Sequence, residues 1–194
     1  MTEIAPGLHR WTARHAEWEE DVASLAVESD DGLVLIDPID VPRQFRKPAH
    51  VFLTVFWHYR STPELGAAHV WAPARAARPL ENRGVHVTDA IRNDTSLPGG
   101  LCAVPTARAG EVVYWLPKQK ALAVGDVLLG AGAKPRATAD ALRLCPERWL
   151  GKAAHDDLRA SLEPLLDLSV QRVLVSHGAP VLHDGKRELA TVLA

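Results

Sequence analysis

Two apolar runs constrain this chain more than any other feature. Leu33–Ile36 in "DGLVLIDP" and the stretch 51–57 in "HVFLTVFW" are nearly continuous rather than alternating. A strand that is apolar on both sides must be covered on both faces. The chain therefore calls for a sheet buried between other layers. Each run stops abruptly at polar residues: Asp37 and Pro38 after the first, His58 to Thr62 after the second. "STPELGAAH" then reads as a short helix, capped by Ser61 or Thr62 with Pro63 in its first turn. "HVWAP" is the next strand, and a strand–helix–strand unit of this kind implies local parallel pairing.

The same alternation extends along the chain. "LHRWTA" and "VASLAVES" read as early strands, and Asp31-Gly32 forms the turn into Leu33–Ile36. From Ala74 to Gly100 the pattern is least regular, with a candidate strand in "VHVTDA" and a turn-rich "NDTSLPGG". "LCAVPT", "EVVYWLP" and "ALAVGDVLL" follow, the last two joined by a "KQK" turn. Leu158, Leu162, Leu165 and Leu166 recur at helical spacing, and Pro164 predicts a kink. "VQRVLVSHG" is a final buried strand, followed by a short helix that Asp184 caps. Strands in two groups, each with helices, predict a layered α/β or α+β fold.

Composition narrows the partners. Lys plus Arg is 22 against 24 Asp plus Glu, for a net charge of -2. That balance argues against nonspecific attraction to nucleic acid or to an anionic membrane. No apolar run approaches the roughly 20 residues of a membrane span, and "MTEIAPGLHRW" has no signal-peptide pattern. Cys102 and Cys145 are too few for a disulfide framework, so free thiols in a cytoplasmic protein are the expectation.

Several signatures of chemistry are absent: a phosphate-binding loop, a dinucleotide fingerprint, a Gly-x-Ser-x-Gly elbow, a Cys-x-x-Cys pair and a His-Glu-x-x-His helix. What remains is one polar residue at each strand end: Asp37 after "LVLI", His58 after "LTVFW", Asp126 after "LAVG" and His177 after "VLVS". Loops after strand C-termini are where layered α/β proteins carry function.

The order of these landmarks resembles the metallo-β-lactamase superfamily. The resemblance runs from Gly32 to about Val181 and implies an αββα four-layer sandwich, with residues 1–194 as one domain. In that family the segment after Leu-Thr reads His-x-His-x-Asp-His and holds two metal ions. Here Val55 and Trp57 fall on the first two histidine positions, Tyr59 on the aspartate and Arg60 on the last histidine. The family's Pro-Thr-Pro-Gly-His is "PTARAGE", with Arg108 nearest to the missing histidine. Asp126 falls on the bridging aspartate, His177 on the final histidine and Asp37 on a supporting aspartate.

The resemblance thus leaves Asp126 and His177 as retained ligands. Zinc takes at least three protein donors, so no cofactor is expected. If a metal is held at all, Asp126, His177 and a displaced His58 would hold it, which requires a shift or bulge in the strand. In an unshifted strand His58 occupies a spacer position and points to the opposite face. Arg60 and Arg108 are expected to take over the electrostatic role of the metal beside Asp126, with Trp57 and Val55 filling volume. His15, between two early strands, lies in a loop that overhangs the pocket in the family. Three readings follow: a member without zinc that binds a small molecule or has lost activity, with ligand contacts from Asp37, Trp57, His58, Arg60 and Arg108; a hydrolase with an altered one-metal or metal-free site using Asp126 and His177; or an interaction scaffold. Oligomeric state is not set by the sequence.

Overall fold

The computed structural model describes residues 1–66, 68–92 and 95–194. Seven strands form the first sheet in chain order: β1 (Thr2–Ala5), β2 (Leu8–His15), β3 (Glu20–Ser29), β4 (Gly32–Ile36), β5 (His50–Phe52), β6 (His69–Pro73) and β7 (Asp89–Ile91). β1 to β4 pair antiparallel, and β4 to β7 pair parallel. The second sheet contains β8 (Cys102–Pro105), β9 (Val112–Leu116), β10 (Ala121–Val124) and β13 (Arg172–Val175), in the order β13-β10-β9-β8. β10 and β13 are parallel, while β9 pairs antiparallel with both β8 and β10. A small ribbon pairs β11 (Leu128–Gly130) with β12 (Leu142–Leu144). The helices are α1 (Ala77–Glu81), α2 (His155–Leu162) and α3 (Gly185–Leu193).

The apolar runs explain the layering. Strand side chains alternate faces. Val34 and Ile36 join Phe52, Tyr114, Leu116, Ala121 and Leu174 in a core between the two sheets. Leu35, Val51, Leu53 and Leu80 pack on the outer face of the first sheet. Val113, Trp115, Leu122, Val173 and Val175 pack with Leu158, Leu162 and Leu189 on the outer face of the second. The result is the expected αββα sandwich, in which both sheets are covered on both sides.

Local expectations fared unevenly. The "KQK" turn joins β9 to β10, and α2 gives way to a 3-10 turn at Glu163–Asp167 around Pro164. The segment predicted as a helix after Ser61 is instead a 3-10 turn, Thr62–Leu65. Ala67 of that segment, and Asn93 and Asp94 of the turn-rich stretch, lie outside the described residues. Asp184 sits at the N-cap of α3, but its carboxylate pairs with Arg187 instead of capping the helix. Both cysteines are free. Among the described residues no helix is long and apolar enough to cross a membrane.

Candidate metal centre

The polar strand ends of both sheets meet at one edge of the sandwich. Asp37 follows β4, Thr54 and His58 follow β5, Asp126 follows β10 and His177 follows β13. The parallel pairs β4–β5 and β10–β13 send their C-terminal ends the same way, so these residues converge. A backbone hydrogen bond from Ala23 N to Ser176 O (2.8 Å) and the bridge between Val22 and His177 tie the two sheets together at this edge.

The second apolar run departs from expectation in a consequential way. β5 ends at Phe52, and Phe56–Tyr59 is a 3-10 turn. An extended strand would send His58 away from the site; the turn reverses that. His58 is 1% exposed, with Nε2 3.1 Å from Asp126 Oδ1. Its Nδ1 lies 2.8 Å from Asp37 Oδ2. Asp37 also accepts from Thr54 N (2.9 Å) and Thr54 Oγ1 (2.5 Å). An ionised carboxylate only accepts, so Nδ1 of His58 donates and Nε2 is directed at Asp126.

His177 approaches the same atom from the second sheet. Its Nε2 stands 3.2 Å from Asp126 Oδ1, and its Nδ1 is 3.4 Å from Glu20 Oε2. Gly178 follows with φ of +84°, and a Cβ there would stand 2.6 Å from the Gly130 carbonyl oxygen, so the "SHG" turn requires glycine. Asp126 itself is delivered by a close approach. A Cβ on Gly125 would fall 2.6 Å from Thr54 Oγ1 and 2.7 Å from Glu111 Oε1.

The other Asp126 oxygen is engaged separately. Oδ2 accepts from Trp57 Nε1 at 2.7 Å and from Arg108 Nη1 at 3.4 Å. Arg108 lies over the Trp57 ring, 4.4 Å from its centroid, and also pairs with Glu111 Oε2 at 3.1 Å. Trp57 therefore does more than fill volume, whereas Val55 is simply buried. The expected pairing of Arg60 with Asp126 is not formed. Arg60 turns back, at φ of 33°, and donates to Ala23 O, Asp37 O and Ser176 Oγ at 3.3, 3.3 and 3.1 Å.

Glu111 ends the "PTARAGE" stretch, yet it went unnoticed in the sequence because attention there fell on Arg108. It is fully enclosed, and its Oε1 accepts from the backbone N–H groups of Asp126 (2.6 Å) and Val127 (3.0 Å). Burial, then the Asp126 charge, raise its carboxyl to about 7 against the pull of Arg108. Burial also penalises the charge on Asp126, but His58 and His177 outweigh it and hold that carboxyl well below the usual range. Burial disfavours imidazolium at both histidines. At His58, Asp37 and Asp126 overcome it, and Arg60 opposes them; at His177, Asp126 and Glu20 do so; both pKa values are raised. Glu20 is likewise new to the site. The Trp18 ring stacks on His177 with centroids 4.9 Å apart, and His15 stands beside Trp18 at 5.6 Å.

Three donor atoms, one each from His58, Asp126 and His177, lie within 4.8 Å of one another. His58 Nε2, Asp126 Oδ1 and His177 Nε2 are all buried and none has a hydrogen-bond partner of acceptable geometry. The donor types fit zinc, and the 3.1 and 3.2 Å from Asp126 Oδ1 to the two imidazole nitrogens match the roughly 3–3.6 Å between ligands held at about 2.0–2.2 Å from the ion. Carboxylates behind both imidazoles complete the usual support for histidine ligands. Asp126 and His177 stand where the sequence placed them, and the 3-10 turn supplies the displacement by which His58 joins them.

No family model matches the sequence, and no curated protein matches it. Solved structures do. A metallo-β-lactamase family protein from Thermus thermophilus superposes with a TM-score of 0.64 at 18% identity, covering 97% of this chain and 79% of the other. A metallo-β-lactamase from Pontibacter korlensis gives 0.67 at 17% identity, covering 99% and 97%. The metallo-β-lactamase FIM-1 from Pseudomonas aeruginosa, in its mono-zinc form, gives 0.67 at 18%, covering 99% and 93%. Residues 1–194, less the three undescribed, thus adopt the metallo-β-lactamase fold.

Proposed function

We propose that this chain is a hydrolase-type protein with a single-metal centre built from His58, Asp126 and His177. One observation carries the reading: three buried donor atoms face each other without a hydrogen bond to satisfy any of them. A neutral imidazole nitrogen 3.1 Å from a carboxylate oxygen places lone pair against lone pair. Left so, each buried group bears the cost of an unmet polar atom, about 1–3 kcal/mol. A cation between them removes that cost at all three atoms together.

Three protein donors leave one position for water or substrate, the arrangement of catalytic rather than structural zinc. When bound, such an ion polarises a carbonyl or phosphoryl oxygen and acidifies a water molecule. The chain's own residues fix the rest. Asp37 holds His58 in the Nδ1–H tautomer, and Glu20 faces the Nδ1 of His177. Trp57 and Arg108 hold Asp126 Oδ2, which leaves Oδ1 for the ion. Trp18 shields the face of His177 from bulk water.

A metal-free ligand-binding site is the second reading. The observation in its favour is that both imidazoles are drawn toward protonation by their carboxylate neighbours. Two imidazolium protons would then stand in place of the ion. A screen of lactones, thioesters and phosphodiesters separates the two. Zinc-reconstituted protein is expected to turn over at least one class, and an Asp126→Ala variant none. Equal turnover by chelator-treated and zinc-loaded protein would remove the metal from the account.

A further inference from the structure

Beside the metal centre lies a cavity of about 440 Å³, lined by His15, Trp18, Trp57, His58, Arg60 and Arg83 among others. Its size is that of a small-molecule pocket, which typically spans about 300–1,000 Å³. Its charge is unusual. Arg60 is partly buried, and among the described residues no carboxylate comes within 4 Å of its guanidinium. All three of its acceptors are uncharged: two backbone carbonyls and the Ser176 hydroxyl. Its Nε has no partner, and neither does His15 Nδ1. Arg83 also lines the cavity; it is exposed, lies over the Phe56 ring at 4.8 Å and donates to Pro79 O at 2.8 Å. The carboxylate among the lining residues is Glu17, at the exposed rim.

A partly buried guanidinium whose direct acceptors are all neutral, with Asp37 and Asp126 acting on it only at longer range, selects an oxyanion as ligand, which a planar fork binds with charge-assisted hydrogen bonds. The Trp18 and Trp57 rings also line the cavity and suit a flat apolar body. We infer that this cavity binds a small molecule carrying an oxyanion on a planar apolar body, with Arg60 and Arg83 as the anion contacts and Trp18 and Trp57 as the flanking surfaces. The inference names the substrate class of the proposed hydrolase. It rests on that reading for its chemistry, and on the two arginines for its binding.

Calorimetric titration with benzoate, phenylphosphonate and benzamide tests it, on both zinc-loaded and chelator-treated protein. Benzoate or phenylphosphonate is expected to bind saturably and at least about tenfold tighter than neutral benzamide, as loss of a charge-assisted contact implies. An Arg83→Gln variant is expected to lose about the same factor. The exposed Arg83 side chain touches only the Pro79 carbonyl and the Phe56 ring among the contacts described, so this variant keeps the test valid if Arg60→Gln misfolds. Equal binding of benzamide and benzoate, or affinity unchanged in Arg83→Gln and in a folded Arg60→Gln, overturns the inference. Anion preference that survives in chelated protein upholds the anion site even where the metal reading fails. Zinc uptake without anion preference rejects the anion site and leaves the metal reading standing.

Discussion

The two halves of the candidate site reach it by different routes. On the second sheet, Asp126 and His177 sit at the ends of two regular parallel strands, β10 and β13, where strand direction alone sends them to the site. On the first sheet, the chain leaves β5 at Phe52 and winds into a 3-10 turn before His58 arrives. The first route depends on a buried sheet that tolerates little change. The second depends on a turn whose inward direction is fixed by one carboxylate, Asp37, and its bonds to Thr54 and His58. A turn can thus bring a side chain to the site from a position that strand alternation forbids.

That contrast is broken most severely by removing the atom both routes share. Asp126→Ala takes away the oxygen that faces both imidazoles, as well as the acceptor for Trp57 and Arg108. Zinc binding is expected to vanish, and breaking a buried charged network costs about 3–5 kcal/mol; chemical denaturation and metal titration measure the two losses. A smaller effect falls on the turn alone. Asp37→Asn frees Nδ1 of His58 from its carboxylate, and loss of such support typically weakens metal affinity about 10–100-fold. Competition against a chromophoric chelator reads this out, and an unchanged affinity would mean that Asp37 does not orient His58. Next comes Gly125→Ala, which tests the strand route. The added methyl group collides with Thr54 and Glu111, and overpacking of this kind costs about 1–3 kcal/mol. A fall in melting temperature with zinc stoichiometry preserved is the expected result.

The smallest expected effect concerns Glu111 and is a matter of pH. Its carboxyl is raised from 4.5 to about 7 in the folded chain. Between those values the folded state binds the proton and the unfolded state does not, so this group makes stability fall as pH rises through that window. Glu111→Gln can still accept from the N–H groups of Asp126 and Val127. Its stability curve is expected to be flatter between pH 4.5 and 7 than that of the parent chain, by equilibrium denaturation at several pH values. An identical slope would show that another group dominates there.

Much of the fold was legible because it follows from period and run length. "LVLI", "VVYWL" and "RVLV" are buried strands wherever they occur in a layered protein, and their polar ends mark the edge of the sheet. Asp37, Asp126 and His177 were therefore visible as strand-end residues. His58 was visible too, but its direction was not. Periodicity assigns it to the far side of a strand, and nothing in "TVFWHYRS" announces a 3-10 turn. Trp57 shows the same limit: its bulk could be read, but not the indole N–H that reaches Asp126. Glu111 and Glu20 were illegible because each contributes through contacts with a distant part of the chain. The pairing of Arg108 with Asp126 was expected, whereas that of Arg60 was not formed, because the left-handed backbone at Arg60 aims its guanidinium at carbonyls.

The central claim is that His58 completes a three-donor centre from a turn. Zinc content by mass spectrometry of the full chain, after reconstitution and removal of free metal, tests it most directly when run beside His58→Ala. One ion per chain in the parent protein and none in the variant, with the variant folded by circular dichroism, is the expected result. An absence of zinc in the parent protein, or one ion retained by folded His58→Ala, would contradict the account.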